Sequence, residues 1–200
     1  MNRESTRRLI LASASPRRKE LMTSLQLEFE VLPSDTDESV PEHWSPEQMV
    51  KELALRKAVA VQHNHTAQVT NAVIIGSDTI VVLDERVFGK PRDDNEAVEM
   101  LDALQGRSHY VYTGVACIDT FTGVIRVEYR RTLVHMKPLT PSKIQSYVLS
   151  GEPADKAGAY AIQGLGSVLI DKIEGCYFTV VGLPVSLLSD MLEQFGVQII

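Results

Sequence analysis

Ala72-Val73-Ile74-Ile75-Gly76-Ser77-Asp78-Thr79-Ile80-Val81-Val82-Leu83 sets one carboxylate between two β-branched, apolar runs. Runs of this kind belong to strands buried on both faces. The stretch reads as one strand in two pieces, residues 72–75 and 79–83, interrupted at Gly76-Ser77-Asp78. An ionised carboxylate in that setting is costly unless it binds a metal, pairs with a cation or takes part in chemistry. Gly76 lets the backbone bend or a ligand approach closely. Asp78 is therefore a candidate to hold a divalent ion or to accept a proton from an attacking water. The plainer reading is a turn carboxylate that caps a neighbouring N–H.

On the N-terminal side, residues 9–12 read as a strand and Ser15-Pro16 as the start of a helix running to about Leu25. A second strand, residues 29–32, leads into the acidic loop Ser34-Asp35-Thr36-Asp37-Glu38. Ser45, Pro46 and Gln48 form a capping box for a long helix with the stripe Val50, Leu53, Ala54, Ala58, Val61. On the C-terminal side, Asp93 and Glu96 open a helix that Gly106 ends. Residues 110–118 and 124–136 read as long antiparallel strands, and Thr140-Pro141 starts a helix that stops at Gly151. Residues 167–173 and 177–181 read as a hairpin around Glu174-Gly175, and Pro184 opens the last helix. The alternation indicates an α/β or α+β architecture with a mixed sheet.

The 200 residues suit one large domain or two joined lobes, and the composition (44% hydrophobic, 23% charged) is that of a globular protein. The net charge of -6 and an aromatic content of 6% without a basic-aromatic stripe argue against a nucleic-acid coat. No apolar run approaches a membrane span, and the polar start MNRESTRR is no signal peptide. Cys117 and Cys176 form no CxxC pair and read as reduced, buried thiols of a cytoplasmic protein.

Against this acidic background some cations stand in unusual places. Arg17 and Arg18 occupy the first turn of a helix, whose N-terminus already carries partial positive charge. The conflict resolves if an anion sits there, and the small-residue turn Ala12-Ser13-Ala14-Ser15 before the helix suits a phosphate. A solvated basic turn is the alternative. Lys57 falls on the apolar stripe of its helix, so it must snorkel out or find an anion. Lys90 lies in the turn Gly89-Lys90-Pro91, and Lys156 follows Asp155. Gln163, beside Gly164 and Gly166, carries both a donor and an acceptor able to read a base edge.

Walker, GxGxxG, HExxH and GxSxG patterns are absent, and the five histidines have no metal-like grouping apart from His63-Asn64-His65, which reads as a solvated pair at a helix end. Carboxylates are the remaining metal ligands, which suits Mg²⁺ or Mn²⁺.

Taken in order, these pieces resemble the Maf family, the septum-formation-inhibitor-like nucleotide pyrophosphatases. The carriers are Leu11-Ala12-Ser13-Ala14-Ser15-Pro16-Arg17-Arg18, Ile75-Gly76-Ser77-Asp78-Thr79, Gly89-Lys90-Pro91-Arg92-Asp93, Asp155-Lys156-Ala157-Gly158-Ala159-Tyr160 with Ile162-Gln163-Gly164, and Val181-Gly182-Leu183-Pro184. The resemblance implies an α/β fold, a mixed elongated sheet flanked by helices with two lobes around a deep groove, like the ITPases. It implies an N-terminal extension (residues 1–8) and a single domain (residues 9–200). It also implies a cytoplasmic homodimer, without nucleic-acid or membrane partners, that hydrolyses dTTP or UTP to the monophosphate and pyrophosphate with Mg²⁺ or Mn²⁺.

By the same resemblance, Asp78 is the proton acceptor, and Ser13, Arg18, Lys57 and Lys90 handle phosphate. Glu38 is a metal-linked carboxylate, and Arg17, Thr79 and Gln163 mark the dTTP/UTP branch; in the mechanism expected here Asp78 and Asp155 join Glu38 as metal carboxylates. A branch acting on 7-methyl-GTP is the near alternative, and a non-catalytic nucleotide-binding regulator of septum formation is the alternative of another class. Two positions depart from the family pattern. Ala161 stands where glycine is usual, which would strain a positive φ there, and Ser77 stands where alanine is frequent.

Overall fold

In the computed structural model, which describes residues 7–41 and 43–200, the stretch around Asp78 is one unbroken strand, β3 (Ala72–Leu83). Gly76-Ser77-Asp78 does not interrupt it, and every residue but Thr79 is buried. Around β3 the chain forms β1 (Arg8–Leu11), α1 (Pro16–Ser24), β2 (Phe29–Val31), α2 (Pro46–Asn64), β4 (Arg86–Phe88), α3 (Asp94–Leu104), β5 (Ser108–Asp119), β6 (Ile125–Met136), α4 (Pro141–Leu149), β7 (Ile170–Glu174), α5 (Tyr177–Val181) and α6 (Val185–Glu193). The strands make a seven-stranded mixed sheet in the order β2-β1-β3-β5-β6-β7, with β4 paired to β3. β1 is parallel to both β2 and β3. Of the expected N-terminal extension, residues 1–6 lie outside the described residues, and Arg8 already belongs to β1.

The chain divides into two compact units. Among the described residues, the first comprises residues 7–41, 43–78, 113–130 and 182–200; the second comprises residues 79–112 and 131–181. Each has its own core. In the first, Ala54, Ala58 and Val61 of α2 pack on Ala72 and Ile74 of β3 and Ala116 and Ile118 of β5. In the second, Met100, Leu101 and Leu104 of α3 and Ile144 and Val148 of α4 pack with Val81, Val111 and Val134.

Two glycines set how closely α2 lies on the sheet. A Cβ at Gly76 would stand 2.1 Å from the Ala54 carbonyl oxygen, and one at Gly114 would stand 2.1 Å from that of Val50. Only bare backbone on β3 and β5 admits this contact. The capping box expected at Ser45 is present: Ser45 Oγ accepts from Gln48 N–H at 3.3 Å, and Gln48 Oε1 accepts from Ser45 N–H at 2.9 Å. Asp93 likewise caps α3 by accepting from Glu96 N–H at 2.8 Å.

Several expectations need correction. Ser15 precedes α1 but makes no side-chain cap; its own N–H donates to Ser13 Oγ at 3.2 Å. The hairpin expected between residues 167 and 181 does not form. Residues Gly164–Leu169 are 3-10 helical, β7 pairs antiparallel with β6, and Tyr177–Val181 is helix. The Thr179-Val180-Val181 run has strand propensity, but tertiary contacts override it. Thr132 Oγ1 donates to the Cys176 carbonyl at 2.9 Å, and Gly175, at φ 132°, turns the chain there. No turn signal in the sequence marks β4, because the turn before it uses Asp84 and Glu85 at φ 47° and 67°, where glycine or asparagine is usual. Both cysteines are free; Cys117 is buried, with its thiol pushed up to about 12 by burial, whereas Cys176 is half-buried.

In the second unit His109 is buried, and one ring nitrogen, Nε2, lies 2.7 Å from Tyr160 Oη. Burial lowers its pKa to about 4. Between about pH 6.5 and 4 the unfolded chain binds a proton that the folded chain does not, so stability is full above 6.5 and declines towards 4. His109's share of the loss from pH 7 to 5 is roughly 2 kcal/mol. Urea denaturation at both pH values, compared between the wild type and His109→Gln, measures it as the part of the pH slope that the variant lacks. Gly76→Ala is expected to cost about 3 kcal/mol in the same assay because its Cβ meets backbone. Gly89→Ala is the control: a Cβ there meets nothing within 4 Å, and it should stay within about 0.5 kcal/mol of the wild type.

Candidate active site

Side chains alternate along β3, so Ala72, Ile74, Gly76 and Asp78 share the face covered by α2. On α2, Lys57 follows Ala54 by three residues and therefore sits on the same stripe. Where Gly76 admits the helix backbone, Lys57 comes down beside Asp78. Its Nζ lies 2.5 Å from Asp78 Oδ1 and 2.7 Å from Glu38 Oε1. Lys57 and Asp78 are 9% and 6% exposed, so this ion pair is shielded from solvent. Lys57 has found the anion that its position on an apolar stripe called for.

Glu38 arrives on the acidic loop, which α2 also fixes. Arg56 Nη1 donates to the Ser39 carbonyl at 2.8 Å and to the Asp37 carbonyl at 3.4 Å, while its Nε pairs with Glu52 at 2.9 Å. Ser39 closes the loop by donating to the Asp37 carboxylate at 2.6 Å, which holds that carboxyl below its ordinary value. Arg56 was not singled out in the sequence. The signal was available only as an arginine adjoining Lys57, with no periodicity to distinguish it.

The basic turn joins the same group. Arg18 Nη1 donates to Ser13 Oγ at 3.2 Å, and its Nε donates to the Gly182 carbonyl at 2.7 Å. Desolvation lowers the Arg18 pKa, the Asp78 carboxylate opposes this, and the neighbouring Arg17 adds to the lowering. Arg18 thus feels the charges of both Asp78 and Glu38. Ser77, on the opposite face of β3 from Asp78, is fully buried, and its hydroxyl lies 2.9 Å from the Gly114 carbonyl and 3.0 Å from that of Gly182. The Gly182 carbonyl thus receives both Arg18 and Ser77, which fixes the turn before α6 against β3.

The first unit accordingly gathers Ser13, Arg18, Glu38, Lys57 and Asp78, with half-buried Arg17 next to Arg18 on α1. The other named positions belong to the second unit. Thr79 is half-buried and follows Asp78 on β3. Lys90 is exposed, in a turn whose Gly89 carbonyl accepts from Gly158 N–H at 2.9 Å. A Cβ at Gly158 would stand 3.0 Å from Val81, so the Lys156–Gly158 segment depends on bare backbone at Gly158. Asp155 pairs with Lys156, whose Nζ also donates to the Glu152 carbonyl at 3.0 Å. Gln163 is half-buried and directly precedes the 3-10 segment Gly164–Leu169. Ala161 does not have a positive φ; that conformation falls on Gly158 (68°) and Ala159 (58°), so the departure at 161 carries no strain.

No cluster of three or more His, Cys, Asp or Glu suited to a metal occurs among the described residues. The donor set still fits a hard divalent ion. Asp78 and Glu38 flank one cationic position, taken by the Lys57 ammonium, and Mg²⁺ commonly binds one or two carboxylates, with water and substrate phosphate completing its shell.

The fold itself is that of a known class. The Ham1 protein of Staphylococcus aureus superposes with a TM-score of 0.53 at 15% identity, covering 94% of this chain and 98% of that one. Within that class the sequence is more specific: the Maf-like protein family matches residues 8–195, and the chain belongs to that family. Among its relatives are proteins named dTTP/UTP pyrophosphatase from Desulforamulus reducens (54% identical, 97% of this chain and 100% of that protein) and Moorella thermoacetica (50%, 96% and 97%). Another, from Bacillus mycoides, bears the same name (48%, 94% and 96%).

Lys57→Met is expected to destabilise the protein by about 3–5 kcal/mol, because it strands a buried carboxylate. Adding Asp78→Asn should recover much of that loss, and a double-mutant cycle by chemical denaturation reads the coupling. Simple additivity would mean that the pair contributes nothing.

Proposed function

We propose that this protein hydrolyses dTTP and UTP to the nucleoside monophosphate and pyrophosphate. The observation that carries the reading is the buried Asp78 carboxylate paired with Lys57 and within the electrostatic reach of Arg18, in a chain closely related to proteins named for this activity. The proposal takes residues 9–200 as the functional unit, the cytoplasm as its place and a homodimer as its state, as the family resemblance implies. No described helix is long and apolar enough to cross a membrane.

In this mechanism Asp78 orients a water for in-line attack on the α-phosphorus and accepts its proton. Arg18 and Lys57, with Lys90, neutralise charge growing on the departing pyrophosphate, and preorganised cations are most effective at that point. Ser13 orients the Arg18 guanidinium through its hydroxyl. Arg17, Thr79 and Gln163 read the pyrimidine. The roles of Lys90, Arg17, Thr79 and Gln163 rest on the sequence resemblance to the family. Nucleotide pyrophosphatases commonly require a divalent metal; Glu38 and Asp78, with Asp155 as a third candidate, would hold Mg²⁺ or Mn²⁺, which supplies electrophilic activation of phosphate oxygens.

Asp78→Asn is expected to lower kcat by about 10³-fold while leaving nucleotide affinity within about threefold. Pyrophosphate release across a panel of nucleoside triphosphates, with and without Mn²⁺, measures the first, and calorimetry measures the second. Retained turnover in the variant removes Asp78 from its role. A preference of the wild type for 7-methyl-GTP overturns the pyrimidine assignment alone.

A further inference from the structure

The segment that contains Gln163 is fastened at both ends to one carboxylate–phenol pair. Glu152 follows α4 at the head of a 3-10 turn (Glu152–Asp155). Its Oε1 accepts from Gly166 N–H and from the Tyr147 hydroxyl, each at 2.8 Å, and its Oε2 accepts from Leu165 N–H at 2.9 Å. The same Tyr147 oxygen accepts from Ala161 N–H at 3.1 Å. Ala161 and Gly166 are thus tied to one polar centre, and Gln163 lies in the span between them.

The glycines of this span have a matching cause. A Cβ at Gly164, where φ is 61°, would stand 2.5 Å from Glu152 Oε2. One at Gly166 would stand 2.5 Å from Tyr147 Oη and 2.3 Å from the Ala161 carbonyl oxygen. The backbone is bare because the carboxylate and the phenol occupy the space where side chains would be. Burial opposes ionisation of Glu152, but the donors from Gly166, Leu165 and Tyr147 outweigh it and hold the carboxyl below its ordinary value.

A glutamine discriminates between base edges only if its backbone is held in one place, since its amide presents a donor and an acceptor that otherwise suit many partners. A glycine-rich span left untied would lose that selectivity to conformational freedom. We propose that Glu152 and Tyr147 are positioning residues for base selection: they fix the Ala161–Gly166 span so that Gln163 meets a pyrimidine in a single orientation. This rests on the reading that Gln163 recognises the base, and neither residue touches the reacting atoms in this scheme.

Three variants test it: Glu152→Gln, Tyr147→Phe and Gln163→Ala, each assayed for kcat and KM with dTTP, UTP and dGTP. The glutamine variant keeps the shape of Glu152 but turns a donor towards one of its backbone N–H groups. The phenylalanine variant keeps the packed ring and removes only the bridging oxygen. Both are expected to lower the dTTP-over-dGTP ratio of kcat/KM by about tenfold, the effect of one lost hydrogen bond. The change should appear in KM for dTTP, with kcat within about twofold. A merely structural role would lower the melting temperature and the active fraction while leaving the ratio unchanged. If Gln163→Ala lowers the ratio but neither Glu152→Gln nor Tyr147→Phe does, the base-reading stands and the positioning proposal falls. If Gln163→Ala leaves the ratio unchanged, the base-reading itself has failed. Should Glu152→Gln fail to fold, Tyr147→Phe gives the same readout.

Discussion

Lys57 and Asp78 are each untenable alone. A lysine on the apolar stripe of α2 and a carboxylate inside a buried strand both lose hydration; Asp78 and Glu38 offset the loss at Lys57, and Lys57 offsets the loss at Asp78. Much of the first unit follows from the need to bring them together. The helix must lie close enough for the ammonium to reach the strand, which demands Gly76 and Gly114 beneath it. It must keep its register, which the capping box at Ser45 helps to fix. It must also hold the acidic loop, and Arg56 does so next to Lys57.

The same reasoning accounts for the start of α1. Its first turn has two arginines and no acidic residue, so the helix end itself does nothing to neutralise them. The compensation comes from elsewhere in the fold. Arg18 is held by Ser13 and the Gly182 carbonyl and feels the carboxylates of Asp78 and Glu38. Because Ser77 shares the Gly182 carbonyl, the two faces of β3 serve one arrangement: Asp78 on one side meets Lys57, and Ser77 on the other secures the turn that receives Arg18.

What could be read from the sequence was whatever local pattern determines. Helix starts at Pro46 and Asp94 were legible from capping residues, that at Pro16 from the proline itself, and β3 from its apolar runs. Asp78, Lys57 and the Arg17-Arg18 pair stood out because each breaks a local rule, and in the first unit Asp78, Lys57 and Arg18 do converge. Features fixed by contacts distant in sequence were not legible. The helix at Tyr177–Val181 depends on Thr132 capturing the Cys176 carbonyl, so a β-branched run was read as a strand. The β3–β4 turn lacks the expected glycine. Arg56, Ser77 and Glu152 break no local rule, and their importance lies wholly in the carbonyls and N–H groups they meet.

The boundary between the two units falls between Asp78 and Thr79, inside one strand. Each unit then presents a different physical problem solved in its own way. In the first, ionised side chains are brought together out of water, and their strength comes from shielding. In the second, a glycine-rich span is given order by hydrogen bonds from its backbone to Glu152 and Tyr147, so its precision comes from removed freedom rather than from charge. Charge shielded from water governs the rate of a phosphoryl step, whereas a fixed hydrogen-bonding edge governs which base is accepted. On the proposed reading the two are separable: base preference would rest on the span tied to Glu152 and Tyr147, and the hydrolytic step on the ion pair of Lys57 and Asp78.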